Sequence, residues 1–379
     1  MSNIAVPFYR HALHDDDIDA VTQVLRSLEL TAGAVTRDAE AKLADYTGMA
    51  HAVGVSNGTS ALFLALKALD VGPGDEVITT PMTFVSTSNA ILHTGATPVF
   101  VDVEADTGLI DVALLEQAIT PRTKAVIPVH LYGQMTDMKA IASVCDQHRL
   151  AIIEDAAHAL EAERDGLRPG ATSKMVCYSF YATKNLTSGE GGAVCTNDPE
   201  LADRVRQLRL HGIRRPQRKP GRYGHWEMES LGYKSLLPNI LAALLIHQMD
   251  RLDDLWTQRQ SIAKRYIEAF STLKQVRMPS LVPTSRSAYH LFPLWVPASR
   301  RDSTLVDLQS HNIGASVHYR AVHLNAYYRE QLGFQPGSFP VAESIGAQTL
   351  SLPFYPGLQE KEVEAVIQAV QQVVGTWEE

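Results

Sequence analysis

The chain has 379 residues, 45% of them hydrophobic, enough to bury a substantial core and too apolar for a disordered protein. Its formal charge of -8 is spread without long like-charge blocks, and its most basic stretch, residues 214–222, is short and rich in Pro and Gly; both argue against a nucleic-acid partner. Cys145, Cys177 and Cys195 match neither a disulfide framework nor a zinc site, and no segment has a leader pattern or the roughly 18 apolar residues of a membrane span, so a cytoplasmic enzyme with reduced thiols, no metal and no membrane partner is expected.

Between about residues 50 and 200, short β-rich runs alternate with amphipathic stretches, the pattern of a mostly parallel sheet covered on both faces by helices. Strands are predicted at 52–55, 76–79, 97–101, 125–129, 151–154, 175–179 and 192–196, each brief and apolar as buried strands are. Apolar residues recurring every three or four positions predict helices at 61–69, 86–94, 112–119 and 138–148. From 236 to about 271 the pattern predicts one long helix, with Leu241, Leu244, Leu245, Met249, Leu252 and Leu255 on one stripe. After Pro283, strands at 290–296 and 315–318 and helices at 303–312 and 360–374 suggest a smaller α/β unit. The expected division is a large domain over 1–250, N-terminal segment included, and a small C-terminal domain over 251–379.

The strongest local signal is the run Ser179-Phe180-Tyr181-Ala182-Thr183-Lys184-Asn185 followed by Gly189-Glu190-Gly191-Gly192. It leaves a strand, sets a lysine in a loop and re-enters a strand through small residues. An arbitrary lysine belongs to the surface. Here glycines allow a flat ligand close to the backbone, and Ser179 stands where a hydroxyl can bind a phosphate oxygen. A second signal is Ile152-Ile153-Glu154-Asp155-Ala156-Ala157-His158, where an apolar strand ends in acids. Ligands of open α/β sheets gather at the carboxyl ends of strands. Asp155 reads either as a helix N-cap or as a carboxylate that keeps a pyridine nitrogen protonated. The third is Val55-Ser56-Asn57-Gly58-Thr59-Ser60-Ala61, a strand turning into a helix whose first N–H groups can hold an anion, or an ordinary capped helix.

Together with Thr31-Ala32-Gly33, Gly74-Asp75-Glu76-Val77-Ile78, Gly95-Ala96-Thr97-Pro98-Val99 and Val129-His130-Leu131-Tyr132-Gly133-Gln134, these stretches make the chain resemble, over nearly its whole length, the sugar-nucleotide aminotransferases of the DegT/StrS type. Those enzymes depend on pyridoxal 5'-phosphate (PLP) and have fold type I: a large domain with a mostly parallel mixed sheet flanked by helices, and a smaller C-terminal α/β domain. The resemblance implies that Lys184 holds PLP covalently and then acts as acid and base, and that Asp155 pairs with the ring nitrogen. It places His158 near the ring or its phenolic oxygen and Phe84 on the ring face, with Gly58, Thr59, Ser60 and Ser179 around the phosphate. It further implies a homodimer in which a loop of the partner subunit closes the site. That loop, Gly232 to Asn239 here, departs from the usual pattern at Ser235, Leu236, Pro238 and Asn239; Lys234 is the first candidate for the phosphate contact and Asn239 the second.

The stretch from His318, Tyr319 and Arg320 to His323 is similar to the substrate loop of the members that make UDP-4-amino-4-deoxy-L-arabinose, although histidines in such a loop can be structural and Arg320 could hold the carboxylate of the amino donor. The implied reaction moves an amino group from glutamate, leaving 2-oxoglutarate, to a keto sugar nucleotide, at carbon 4 of a UDP-linked sugar. A sister reaction on this fold, sugar dehydration, uses histidine in place of the lysine, whereas this chain keeps Lys184. A non-catalytic PLP-binding regulator is the remaining alternative, with no appended DNA-binding module to support it.

Overall fold

A computed structural model describes residues 4–214 and 225–378, so the basic stretch lies, from 215 on, outside the described residues. Seven strands form the central sheet: β1 (His51–Val55), β2 (Glu76–Thr79), β3 (Thr97–Phe100), β4 (Thr123–Val126), β5 (Ala151–Asp155), β6 (Met175–Ser179) and β7 (Gly192–Thr196). Their spatial order is β1-β7-β6-β5-β4-β2-β3. Only β7 runs against the others, pairing antiparallel with β1 on one side and β6 on the other. All seven predicted strands are present, the sheet is mostly parallel, and the α/β class is as expected.

Alternation along each strand sends neighbouring side chains to opposite faces. Ile152, Val176 and Cys195 pack on one face with α2 (Ala34–Thr47), α5 (Met138–His148) and α7 (Asn239–Asp250). Ile153, Cys177 and Val194 pack on the other with α3 (Gly58–Ala68), α4 (Ser86–Thr94) and α6 (Pro199–Leu208). Burying both faces explains why the strands read as continuous apolar runs. The three cysteines are buried and free, and burial pushes the Cys145 and Cys195 thiols up to about 12.

A second core gathers Tyr266 and Phe270 from α8 (Leu252–Phe270), Phe292 and Leu294 from β8 (Phe292–Trp295), Leu350 and Leu352 from β9 (Thr349–Leu352), and one face of α12 (Glu360–Gly375). Val6 reaches this core and pairs with Ile313. Leu308 of α9 (Arg301–Ser310) joins this core, whereas α10 (Ala326–Leu332) sets Tyr328 beside Phe100 and α11 (Pro340–Gln348) packs Ala342 and Ile345 with Met82 and Leu131 in smaller clusters.

Three local readings are corrected. The single long helix is two, because Arg251 leaves helical geometry at φ -118°, ψ 13° while its guanidinium pairs with buried Asp17 of α1 (Asp15–Leu25). Residues 112–119 form two 3-10 turns instead of an α-helix; Asp111 caps the first, and Pro121 follows too soon for a longer helix. Residues 315–318 contribute one bridge, Ser316 to Ser351, rather than a strand. In addition, α1 and α2 precede the sheet where no element was predicted; α1 buries only Asp17 and Val24, too few for a visible stripe.

Candidate active site

β1, β5 and β6 are mutually parallel, and their carboxyl ends border a cavity of about 550 Å³ lined by Asn57, Asp155 and Ser179 among others. Because β7 runs antiparallel, its first residue, Gly192, lies in register between Val55 and Ser179. A Cβ on Gly192 would meet the Asn57 carbonyl at 2.6 Å, and one on Gly58 would meet Ser179 Cβ at 2.8 Å. Only glycine at these two positions lets the turn from β1 into α3 lie this close to the neighbouring strands.

Asn57 is the N-cap of α3, its Oδ1 accepting the Ser60 N–H at 2.8 Å. The Gly58 and Thr59 N–H groups of that first turn lack carbonyl partners within the helix and border the cavity with the Ser179 hydroxyl, a cup for an anion. Ser60 stands behind the cup: its hydroxyl lies 3.0 Å from Ser56 Oγ, and it does not line the cavity.

Asp155 ends β5 with both oxygens held. The Ala157 N–H donates to Oδ1 at 3.2 Å and the Thr87 hydroxyl to Oδ2 at 2.7 Å. With its proton given to Asp155, Thr87 accepts from Thr83, whose hydroxyl is 3.0 Å away. Burial raises the Asp155 carboxyl above its ordinary range. A cation facing it would restore the ionised form. Sequence reasoning missed Thr83 and Thr87; the four-residue spacing of two threonines at a helix start was the available signal.

Lys184 follows the turn closed by its own N–H to the Tyr181 carbonyl at 2.9 Å. Burial lowers its amine to about 8, with Asp155 acting in the opposite direction. His158 Nδ1 accepts the Tyr132 N–H at 3.3 Å, so in the neutral ring Nε2 carries the proton and donates it to the Tyr319 hydroxyl 3.2 Å away. Burial, then Lys184 and His318, hold that ring well below the usual histidine pKa, so it is neutral. Phe84 lines the cavity while 55% exposed, an open aromatic face tilted 5.8 Å from Tyr319.

The C-terminal candidates divide. His318 and Tyr319 line the cavity; the His318 ring stacks on Phe8 at 5.4 Å, and its Nδ1 is 3.0 Å from Ser351 Oγ. Arg320 is exposed and away from the cavity wall. His323 is fully buried, with Nε2 2.9 Å from Glu343 and its ring edge-on to Phe339 at 4.8 Å, which corrects its reading as a substrate contact: it is a core histidine. Asn239 does not line the cavity of its own chain. Its Oδ1 accepts from the Gly33 N–H (2.8 Å) and the Thr36 N–H (3.0 Å) and hydroxyl (2.9 Å), and its Nδ2 donates to the Glu29 carbonyl (2.9 Å). This amide shapes the entry to α2 within its own chain. Lys234 is exposed and off the cavity of its own chain. Phe8 and His290 also line the cavity, and no motif had singled them out.

A helix-start anion cup, a carboxylate for a ring nitrogen, an open aromatic face and the cavity-lining amine of Lys184 together fit PLP. The fold and this site define an aminotransferase. The model of the DegT/DnrJ/EryC1/StrS aminotransferase family matches residues 11–371, and the chain belongs to that family. It is similar to the spore coat polysaccharide biosynthesis protein SpsC of Bacillus subtilis, at 43% identity over 98% of each chain. It is also similar to the UDP-4-amino-4-deoxy-L-arabinose–oxoglutarate aminotransferase of Shewanella sediminis, at 39% identity over 99% of this chain and 100% of that one. Among solved structures, Spr1654 of Streptococcus pneumoniae in its PLP form superimposes with a TM-score of 0.93 at 31% identity, covering 98% of this chain and 99% of that one. The family and this PLP-form neighbour imply pyridoxal phosphate as the cofactor.

Proposed function

We propose that this aminotransferase uses PLP held by Lys184 to move an amino group from glutamate to a keto sugar nucleotide, at carbon 4 of a UDP-linked sugar. The observation that carries the reading is a cavity-lining amine, depressed to about 8, sharing one cavity with a clamped carboxylate and a helix-start anion cup. The sugar-nucleotide class, carbon 4 and the glutamate/oxoglutarate couple are supported by the Shewanella sediminis relative's name and by the likeness of the His318–His323 stretch to such enzymes.

When bound, PLP supplies an electrophilic carbonyl and an electron sink. The chain's own groups do the rest. With its pKa near 8, the Lys184 amine is neutral in roughly a tenth of molecules at pH 7, enough to accept and return a proton at Nζ. Ala157 and Thr87 fix the Asp155 carboxylate so that it faces a ring nitrogen without swinging. The Gly58 and Thr59 N–H groups and the Ser179 hydroxyl orient a phosphate, and Phe84 offers a face for the ring. The reading extends to a large domain over 1–250 that holds the cofactor, a small domain over 251–379 that brings His318 and Tyr319, a homodimer in which the partner subunit's Lys234 reaches the phosphate, and a cytoplasmic setting.

The test is to load the enzyme with glutamate and screen UDP-, dTDP- and GDP-linked 4-keto and 3-keto sugars for amino sugar product and return of the cofactor absorbance. Product from a UDP-linked 4-keto sugar is expected. Failure of every keto sugar nucleotide, with glutamate loading intact, overturns the substrate class.

A further inference from the structure

A chain of buried and half-buried partners runs behind Lys184. Arg259 and Glu161, both closed to solvent, form an ion pair. The Asn185 amide donates from Nδ2 to Glu161 Oε2 at 3.1 Å and to the Ala288 carbonyl at 2.8 Å. Both are acceptors only, so the nitrogen and oxygen of this amide are not interchangeable. Its Oδ1 must therefore be the atom 3.1 Å from His290 Nδ1, and an amide oxygen cannot donate; the proton sits on Nδ1.

His290 is buried against His158, ring centroids 4.3 Å apart, and shares the cavity wall with Lys184 and His318. Burial first, then these neighbours and Arg259, hold it well below the ordinary histidine pKa, so the ring stays neutral and Nε2 keeps its lone pair. Among the described residues nothing donates to that nitrogen. The neighbouring His158 has the opposite tautomer, and its one donor is already given to Tyr319. The two neighbouring rings, tilted 34° to each other, thus leave one unused polar group in the cavity, an acceptor.

We propose that His290 is a substrate-binding residue: the Arg259–Glu161–Asn185 chain fixes its unprotonated Nε2 toward the cavity, where it accepts a hydrogen bond from a sugar hydroxyl. The proposal rests on the keto sugar reading above. Close to its reacting carbon, glutamate carries a carboxylate, which has no proton to give at neutral pH, and an amine, which the reaction consumes. A keto sugar carries neutral hydroxyls beside its carbonyl. A neutral, pre-oriented acceptor suits the hydroxyl, since binding it leaves no buried charge unpaired.

Two measurements on the holoenzyme test this. In protein carrying 15N-histidine, with His290 assigned by its loss in His290→Phe, the ring is expected as the neutral Nδ1–H tautomer at pH 7, relaxing to a mixture in Asn185→Leu. An imidazolium or an Nε2–H tautomer overturns the proposal. His290→Phe keeps the ring packed against His158 and removes the acceptor. In separated half-reactions it should raise KM for the keto sugar about tenfold and leave glutamate loading within about twofold; His290→Gln, which keeps an acceptor, should recover most of the loss. Equal damage to both half-reactions, or none, overturns it. If the wild-type enzyme aminates no keto sugar, the substrate reading has failed instead, and the 15N shifts alone decide the acceptor state of His290.

Discussion

At Lys184 two effects oppose each other: enclosure by protein disfavours the ammonium form, and the Asp155 carboxylate favours it. Enclosure is the larger, and the amine falls to about 8 from 10.5. Because the folded pKa lies below the unfolded one, the unfolded chain binds more protons between these values, so stability of the cofactor-free protein should rise with pH from about 8 to about 10.5 and carry the full penalty below 8. Lys184→Met should accordingly stabilise the cofactor-free protein at pH 7 by about 1–3 kcal/mol, read from denaturant unfolding. Competitive labelling of amines, followed by peptide mass spectrometry, should give position 184 a midpoint near 8. In Lys184→Ala, borohydride reduction should leave no cofactor mass on the chain; a label at another lysine would contradict the assignment.

Among helices and strands, the start of α3 shows how local sequence and neighbouring strands share the work. The Asn57 cap and the apolar run after it specify a helix there, but the closeness of Ser179 makes Gly58 necessary. Gly58→Ala should lower stability by about 1–3 kcal/mol and, in the folded fraction, lose at least about tenfold in affinity for inorganic phosphate or PLP, measured by calorimetry, because its Cβ pushes on the Ser179 side of the cup. Asn239→Ala should have a different signature. It leaves the Gly33 and Thr36 N–H groups and the Glu29 carbonyl without their partner, costing about 1–3 kcal/mol in unfolding free energy, with PLP affinity unchanged once folded. A drop in affinity without a drop in stability would return Asn239 to the binding site.

Across the whole molecule, the site is a meeting of distant segments. The Arg259–Glu161 pair ties α8 to the loop after β5, and Asn185 joins Glu161 to the lysine loop. Glu161→Gln removes the countercharge of a buried guanidinium and should lower stability by about 3–5 kcal/mol, measured by thermal or denaturant unfolding. An unchanged midpoint would mean the pair is not buried in solution.

Strands, most crossover helices, Asp155, Lys184 and the helix-start cup were legible because each rests on a local rule: apolar alternation, a cap, or the position of a residue at a strand end. The chain order and residue types therefore determined the α/β class and the core of the site by themselves. Thr87, Phe8 and His290 were not legible, since the first acts through Asp155 and the others reach the cavity from segments more than a hundred residues from Lys184. His323 looked functional from its neighbours in sequence, yet Glu343 and Phe339 hold it in the framework. Only tertiary structure decided these, because a side chain's role depends on which groups face it, and packing brings those groups together from far along the chain.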